Sequence, residues 1–179
     1  MRRSPLIALL AAILTLFGFG CYRHARSEEV AWREIAWPYP RDGWPAGRAL
    51  RCAAEACGGE VEVYVRPKIG FCNCDTGVAD DDEVDRVADL DLISDRFVPL
   101  EAGQAIRIAG MPGRSRSYDL QMADGTHRAA IGIAVARRCD LLVAVAQGAG
   151  SASEVQRAAL EFLASSEMTR WMTSAMDGR

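Results

Sequence analysis

The cysteines are the residues of this sequence best able to do chemistry. Beyond the N-terminal region they form a C-x4-C pair, a C-x-C pair and one further cysteine. These are Cys52, Cys57, Cys72, Cys74 and Cys139. In an oxidising compartment such cysteines form structural disulfides. Cys52 and Cys57 can close a tight loop, and Cys72 or Cys74 can pair with Cys139. Because five is odd, one thiol stays free or pairs between chains.

A metal site is the alternative use of the same cysteines. Four thiolates can hold a tetrahedral zinc ion or a copper(I) ion, because soft ligands favour these metals. The spacing differs from the C-x2-C pairs of zinc knuckles, and the C-x-x-C arrangement of thiol oxidoreductases is absent. The cysteines therefore predict structural disulfides first, with zinc or copper binding or delivery as the second hypothesis. No other cofactor is predicted.

A run of carboxylates begins directly after the C-x-C pair. Its members are Asp75, Asp80, Asp81, Asp82, Glu83 and Asp85. Oxygen-rich segments can bind calcium, but this one lacks the glycine at the sixth position of an EF-hand loop. Carboxylates in a first helical turn also satisfy free N–H groups and the helix dipole. We expect an acid-capped helix over residues 81–88, whose surplus negative charge can attract a basic partner.

Arg114 and Arg116 lie in a glycine-bearing stretch, residues 110–118. Met111-Pro112-Gly113 is a turn signal, so the two arginines are predicted in a loop. Such a loop can bind an anion or a lipid headgroup, and a solvated hairpin loop is the simpler interpretation. Catalytic patterns are not completed elsewhere in the chain, so we expect a protein that is not an enzyme and predict no catalytic residues.

The N-terminus predicts export. Arg2 and Arg3 precede an apolar run over residues 6–16, which ends at Gly20-Cys21. A charged start, a short apolar core and small residues make a signal peptide, and Cys21 resembles the acylated cysteine of bacterial lipoproteins. An uncleaved membrane anchor and full secretion are the alternatives. The predicted location is the periplasmic side of the cell membrane, with attachment through the N-terminal segment or a lipid on Cys21.

Length and charge limit the kind of domain that follows the signal peptide or anchor. The chain has 179 residues, is 50% apolar and carries a formal net charge of −3. One folded domain fits this length, and the acidic balance argues against nucleic acid, which needs a strongly basic face. We divide the chain into a signal peptide or anchor (1–21), a tether (22–36) and a single α+β domain (37–179).

Hydrophobic periodicity predicts the elements of that domain. Alternating apolar residues predict strands at 60–66, 104–111 and 130–136, with a possible strand around Tyr118. Residues 141–146 are apolar throughout, which predicts a central strand covered on both faces. Asp124-Gly125 is a hairpin signal. Helical spacing and a capping box formed by Ser151 and Glu154 predict one long helix over residues 151–176. The expected fold is an antiparallel sheet of about five or six strands covered by a long C-terminal helix; another small disulfide-braced α+β domain is the alternative.

The order of segments resembles a known family. An aromatic, proline-bearing segment (Trp37-Pro38-Tyr39-Pro40) opens the domain, and two apolar strands followed by a long helix close it. This layout resembles the α/β/α sandwich of the Mog1/PsbP type, whose members include accessory factors of photosystem assembly and small binding proteins. The resemblance implies a partner-binding module. We therefore expect a non-enzymatic, membrane-tethered envelope protein whose partner is an envelope or membrane protein, with soft-metal binding as the alternative.

Overall fold

The computed structural model describes residues 31–40, 42–70 and 76–177. Cys21, Cys72, Cys74 and Asp75 lie outside these ranges, so the predictions that concern them lie outside the described residues. Within the described ranges, helices fall short of the length and apolar character needed to span a membrane.

The domain is built on one antiparallel sheet, which has eight strands within the described residues. The strands are β1 Trp32–Ile35, β2 Arg48–Cys52, β3 Val61–Lys68, β4 Phe97–Pro99, β5 Gln104–Ile108, β6 Met111–Gln121, β7 His127–Arg137 and β8 Asp140–Gly148. Their order is β1-β2-β3-β8-β7-β6-β4, and β5 also pairs with β6. The α+β class is confirmed, but the sheet is larger than the five or six strands predicted. The extra strands β1, β2 and β4 have three to five residues, too few to show a clear alternation.

Four helices and one 3-10 turn accompany this sheet in the described part of the chain. They are α1 Ala54–Cys57, α2 Asp81–Val87, the 3-10 turn Leu90–Leu92, α3 Ala152–Leu163 and α4 Ser166–Asp177. α3 and α4 lie on one face of the sheet, and α2 lies on the other. The layers are therefore helix, sheet and helix.

Strand β1 lies inside residues 22–36, which were predicted to form a tether. It pairs with β2 over four residues, and Trp32 stacks on Phe162 of α3 with ring centroids 4.2 Å apart. The folded domain therefore includes Trp32–Ile35, and the predicted boundary at residue 37 is wrong by at least one strand. A short strand with exposed Arg33 and Glu34 looks like a tether because only its ends face the core.

The central strands follow the predicted two-residue alternation. In β3, Val61, Val63 and Val65 are buried under α3 and α4, while Glu62 and Arg66 face the α2 side. Every residue of β8 is buried, as expected for a strand covered on both faces. These strands therefore separate an apolar helix-covered core from a second face that carries buried polar side chains.

The single long C-terminal helix that was predicted is two helices. α3 ends at Leu163, and the backbone N–H of Met168 then donates to Ser165 Oγ at 3.3 Å, so Ser165 caps the N-terminus of α4. Buried positions step by five residues from Leu163 to Met168, whereas one continuous helix face needs steps of three or four. The break restores the apolar face of α4 to the sheet.

The hairpin between β5 and β6 turns at Ala109-Gly110, whose φ angles are 49° and 78°. The turn predicted at Met111-Pro112-Gly113 is therefore wrong, and these residues begin β6. Pro112 is tolerated because β6 pairs with β7 only from Gly113 onward, so its missing N–H breaks no bond on that side. A Cβ at Gly113 would lie 2.0 Å from the Ala134 carbonyl oxygen, so glycine is required there for the strands to meet.

Small residues on β7 let α2 approach the sheet. A Cβ at Gly132 would lie 2.9 Å from Ala88 Cβ and 3.1 Å from the Tyr118 ring. Val84 and Val87 of α2 pack on Ala134 and neighbouring residues of β8. The small residues on this side of β7 therefore make room for the helix.

Candidate functional site

The cysteines in the described residues are oxidised. Cys52 and Cys57 form a disulfide with Cα atoms 6.2 Å apart, which confirms the predicted tight loop. Cys139 is also disulfide-bonded, and its partner lies outside the described residues. A four-thiolate site that uses Cys52 and Cys57 therefore lacks two ligands in this structure.

The other side chains able to bind a metal lie apart from one another within the described residues. Among residues 31–40, 42–70 and 76–177, His, Cys, Asp and Glu side chains form no group of three or more able to hold an ion. Cys72 and Cys74, the C-x-C half of the zinc or copper hypothesis, lie outside those ranges. The described cysteines serve as a crosslink, a use typical of proteins outside the cytoplasm.

The predicted acidic patch is the N-terminal part of α2. Asp80 caps the helix by accepting the backbone N–H of Glu83 at 2.9 Å, which confirms the acid-capped helix. Asp82 is exposed, and Glu83 pairs with Arg86 at 2.7 Å. The remaining carboxylates, Asp81 and Asp85, point toward the sheet.

Arg114 and Arg116 meet these inward carboxylates. Arg114 Nη2 lies 2.6 Å from Asp81 Oδ1, and Arg116 Nη1 lies 2.8 Å from Asp85 Oδ2. Hydrogen bonds from the Gly103 N–H and from Arg114 hold the pKa of Asp81 below its usual value. The arginines thus sit in strand β6 rather than in a loop. The charges expected to attract a basic partner and an anion neutralise each other across the α2–sheet interface.

Tyr118 links α2 to β4, the terminal strand of the sheet. Its side chain is fully buried, its hydroxyl donates to Asp85 Oδ1 at 2.5 Å, and its ring meets Phe97 of β4 edge-on at 5.8 Å. Burial, and then the hydrogen bond to Asp85, raises the pKa of the Tyr118 phenol above its usual range. Tyr118 therefore positions β4.

A buried charge network lies at the far end of β3. Arg66 is 2% exposed, and its guanidinium donates to Asp89 at 2.6 and 3.0 Å and to Asp42 at 2.8 and 2.6 Å. Lys68 Nζ donates to Asp89 Oδ1 at 2.6 Å and to the Val87 carbonyl oxygen at 2.9 Å. Two cations therefore face two carboxylates, which satisfies the rule that buried charges occur paired.

The network holds the aromatic, proline-bearing segment against the sheet. The Trp37 ring lies 5.7 Å from Arg66 Cζ, and the Trp44 ring lies 5.8 Å from Lys68 Nζ. Trp37 and Tyr39 also pack edge-on against Tyr64. The segment is thus part of the core of the second face.

Replacing Asp42 by asparagine is expected to make stability less dependent on acid pH. Hydrogen bonds from Arg66 lower the pKa of Asp42 from 3.8 to about 2. A lowered folded-state pKa contributes stability above pH 3.8, and this contribution disappears as the pH falls toward 2. Since the carboxylate is 33% exposed, we expect Asp42→Asn to lose about 1 kcal/mol at pH 7 and only a small part of that at pH 2, where the carboxylate is half protonated. Urea unfolding at both pH values measures it; an equal loss at both would contradict the assignment.

A second polar cluster joins β2, β3 and β8. Glu62 accepts from Arg51 Nε at 2.8 Å, from the Tyr64 hydroxyl at 2.5 Å and from Gln147 Nε2 at 3.1 Å. Burial opposes ionisation of Glu62, but the hydrogen bonds from Tyr64 and Arg51 outweigh it, so its pKa is lowered. Burial and the bond to Glu62 raise the pKa of Tyr64 to about 12. The cluster keeps an ionised carboxylate in the sheet without exposing a reactive group.

The surface of β4 is different, because it is apolar and exposed. Val98 is 63% exposed and Leu100, which follows the strand, is 54% exposed. β4 pairs with β6 on one side and is a terminal strand in the sheet order. We call Val98 and Leu100 the β4 edge patch. The patch was not predicted from the sequence; the run Phe97-Val98-Pro99-Leu100 was the available signal.

Carboxylates surround the β4 edge patch. Asp95 and Glu101 are exposed beyond its two ends, and Asp119 lies directly opposite Val98 on β6. We call Asp95, Glu101 and Asp119 the acidic flank. This is the described surface that best matches a docking site, because exposed apolar side chains rimmed by polar ones are typical of interaction sites.

Comparison with known proteins adds a likeness of fold. No protein-family model matches the chain, and no curated protein matches it. The solution structure of CyanoP, a cyanobacterial PsbP from Synechocystis sp. PCC 6803, is similar with a TM-score of 0.45 and 14% identity, over 76% of this chain and 80% of that one. PA94 from Pseudomonas aeruginosa, a protein of unknown function, is similar with a TM-score of 0.37 and 14% identity, over 73% and 76%. The weak likeness to the PsbP type predicted from the layout is thus found, and it concerns the fold alone.

Proposed function

We propose that this protein is an exported, membrane-tethered module that binds an envelope or membrane protein partner and carries out no reaction itself. The observation that carries the proposal is the β4 edge patch, where Val98 and Leu100 stand exposed on a terminal strand. Burying such side chains in a partner releases water from apolar surface, at about 25 cal/mol per Å². A docking site of this kind needs no catalytic group.

The contacts that hold β4 in place support a docking function for the β4 edge patch. Phe97 and Pro99 of β4 turn toward the second face, where Phe97 packs on the buried Tyr118. The backbone N–H of Leu100 donates to the Ser117 carbonyl oxygen at 2.9 Å. Val98 and Leu100 are therefore held in place before a partner arrives, which reduces the entropy lost on binding.

Two features of the chain support export. The Cys52–Cys57 disulfide fits an oxidising compartment. The leader over residues 1–21 has the charged start and apolar core of a signal peptide. Together they favour a domain outside the cytoplasm, with Cys21 or the apolar segment as its attachment to the membrane.

Replacing Val98 and Leu100 together by serine is expected to weaken partner binding at least tenfold and to leave the fold intact. Both side chains are exposed, so their loss removes apolar contact with the partner and little of the core. The measurement is in-cell photo-crosslinking from a photoreactive residue at position 98, followed by co-purification of the crosslinked protein with the serine variant.

The matched control is Ile69, an apolar residue that is 37% exposed outside β4. A photoreactive residue at 69 should not capture the same protein, and Ile69→Ser should retain binding. Equal capture from both positions, or full retention by the Val98 and Leu100 double variant, would refute the proposed function.

Replacing Cys21 by serine is expected to release the protein from membranes if Cys21 carries the anchoring lipid. Acylation supplies about 0.8 kcal/mol per buried methylene group, and serine removes its acceptor thiol. Fractionation of cells into membrane and soluble parts measures the change. Unchanged membrane retention of Cys21→Ser would indicate an uncleaved apolar anchor instead.

A further inference from the structure

The backbone of β4 offers little for strand addition by a partner. Leu100 N–H donates to Ser117 O, and Gln121 N–H donates to Arg96 O, both at 2.9 Å. The backbone N–H and C=O groups of a strand point alternately to its two sides. Those of residues 96, 98 and 100 point toward β6, and those of Phe97 and Pro99 point away from the sheet. Proline has no N–H, so the outward side of β4 presents Phe97 N–H as its donor. Proline on a terminal strand is a known guard against edge pairing.

The side chains of β4 offer more. Val98 and Leu100 share one face of the sheet, the face that α3 and α4 cover further in. Leu100 lies beside Ser117, whose Oγ is 3.5 Å from Gln156 Oε1 of α3. The β4 edge patch is therefore an exposed apolar surface between the edge of the sheet and the polar side of α3. A peptide segment can lie along it.

The charged groups around the β4 edge patch are mostly negative. Asp119 lies across from Val98 and approaches His127 Nδ1 at 2.6 Å. Asp95 and Glu101 are exposed at the two ends, and exposed Arg96 offsets one charge. The whole chain also carries a net charge of −3. Charge complementarity here favours a cationic partner and opposes an anionic lipid surface.

From these three observations we infer that the β4 edge patch receives a short extended segment of a protein partner in which apolar side chains alternate with arginine or lysine. The apolar side chains cover Val98 and Leu100, and the cations meet the acidic flank. Docking proceeds through side chains rather than by adding a strand. The inference rests on the proposed function and specifies the chemistry of the partner.

The test uses the full chain in a non-ionic detergent and three heptapeptides followed by fluorescence anisotropy. In the first peptide arginine alternates with leucine, in the second arginine alternates with serine, and in the third glutamate alternates with leucine. We expect the first to bind at least tenfold more tightly than either of the others. Raising the salt from about 50 to about 300 mM should weaken this binding roughly fivefold, because exposed charges are screened.

Variants assign this binding to the patch. Replacing Val98 and Leu100 by serine should weaken it at least tenfold. Removing the acidic flank by Asp95→Asn, Glu101→Gln and Asp119→Asn should weaken it about fivefold and flatten the salt dependence. The matched charge control, Glu55→Gln with Glu60→Gln and Asp82→Asn, removes three exposed carboxylates elsewhere and should leave the affinity unchanged.

The inference and the proposed function fail in different experiments. Equal binding of the glutamate peptide, or equal weakening by the charge control, would overturn the cationic-segment inference while the crosslink from position 98 still supports docking. Self-association of the wild type that the serine variant abolishes would also overturn it, because the occupant would then be a second copy of this chain. Loss of the position-98 crosslink itself would remove the proposed function.

Discussion

Replacing Asp89 by asparagine is expected to lower the free energy of unfolding by about 3–5 kcal/mol, since removing one partner of a buried ion pair leaves charge uncompensated. Asp89 accepts from both Arg66 and Lys68. Asparagine keeps the shape and tolerates the left-handed backbone at this position, where φ is 61°. The loss therefore reports the charge and not backbone strain. Urea denaturation at pH 7 measures it.

The neighbouring Asp91→Asn is the control for Asp89. Asp91 is exposed, so its change should stay within about 0.5 kcal/mol. Adding Lys68→Met to Asp89→Asn should recover part of the loss, because Arg66 and Asp42 then balance each other. A loss below about 1 kcal/mol, or no recovery in the double variant, would show that the network contributes little to stability.

Replacing Tyr118 by alanine is expected to cost about 3–5 kcal/mol and also to weaken partner binding. The large-to-small change opens a cavity in the core and leaves the Asp85 carboxylate without its phenol donor. Phe97 loses the ring against which it packs, so β4 is held less firmly. Thermal or urea unfolding measures the first effect, and the crosslink from position 98 measures the second.

Tyr118→Phe separates the two roles of this tyrosine. It keeps the ring under Phe97 and removes the hydrogen bond to Asp85, so we expect a loss of about 1.5–3 kcal/mol, typical of bonds to charged groups, with partner binding retained. If Tyr118→Phe lost binding as fully as the alanine variant, the ring contact would not be what positions β4.

The local patterns of the sequence determined the individual elements correctly where each has its own periodicity. Alternating valines at 61, 63 and 65 predicted β3, and Asp124-Gly125 predicted the hairpin between β6 and β7, where Gly125 has φ of 82°. Ser151 and Glu154 form the expected capping box of α3. These predictions succeed because a two-residue or 3.6-residue period, a cap and a tight turn depend on neighbours within a few positions.

Other predictions failed because partners distant in the chain decide them. Pro112 and Gly113 resemble a turn, yet pairing with β5 and β7 makes them strand. Trp32 resembles part of a tether until Phe162, far along the chain, stacks on it. Arg114 and Arg116 resemble an anion site until α2 brings Asp81 and Asp85 against them.

By itself the sequence predicted an α+β domain, the acid-capped helix, the alternation of the central strands, and a Cys52–Cys57 disulfide as the first of two uses for these cysteines. Only the tertiary structure decided the eight-stranded order, the division of the C-terminal helix, which charges neutralise each other and which apolar residues remain outside. The physical reason is that burial and charge pairing are properties of the packed chain. In the sequence Val98 cannot be distinguished from a core valine; it is exposed because β4 is the terminal strand of the sheet.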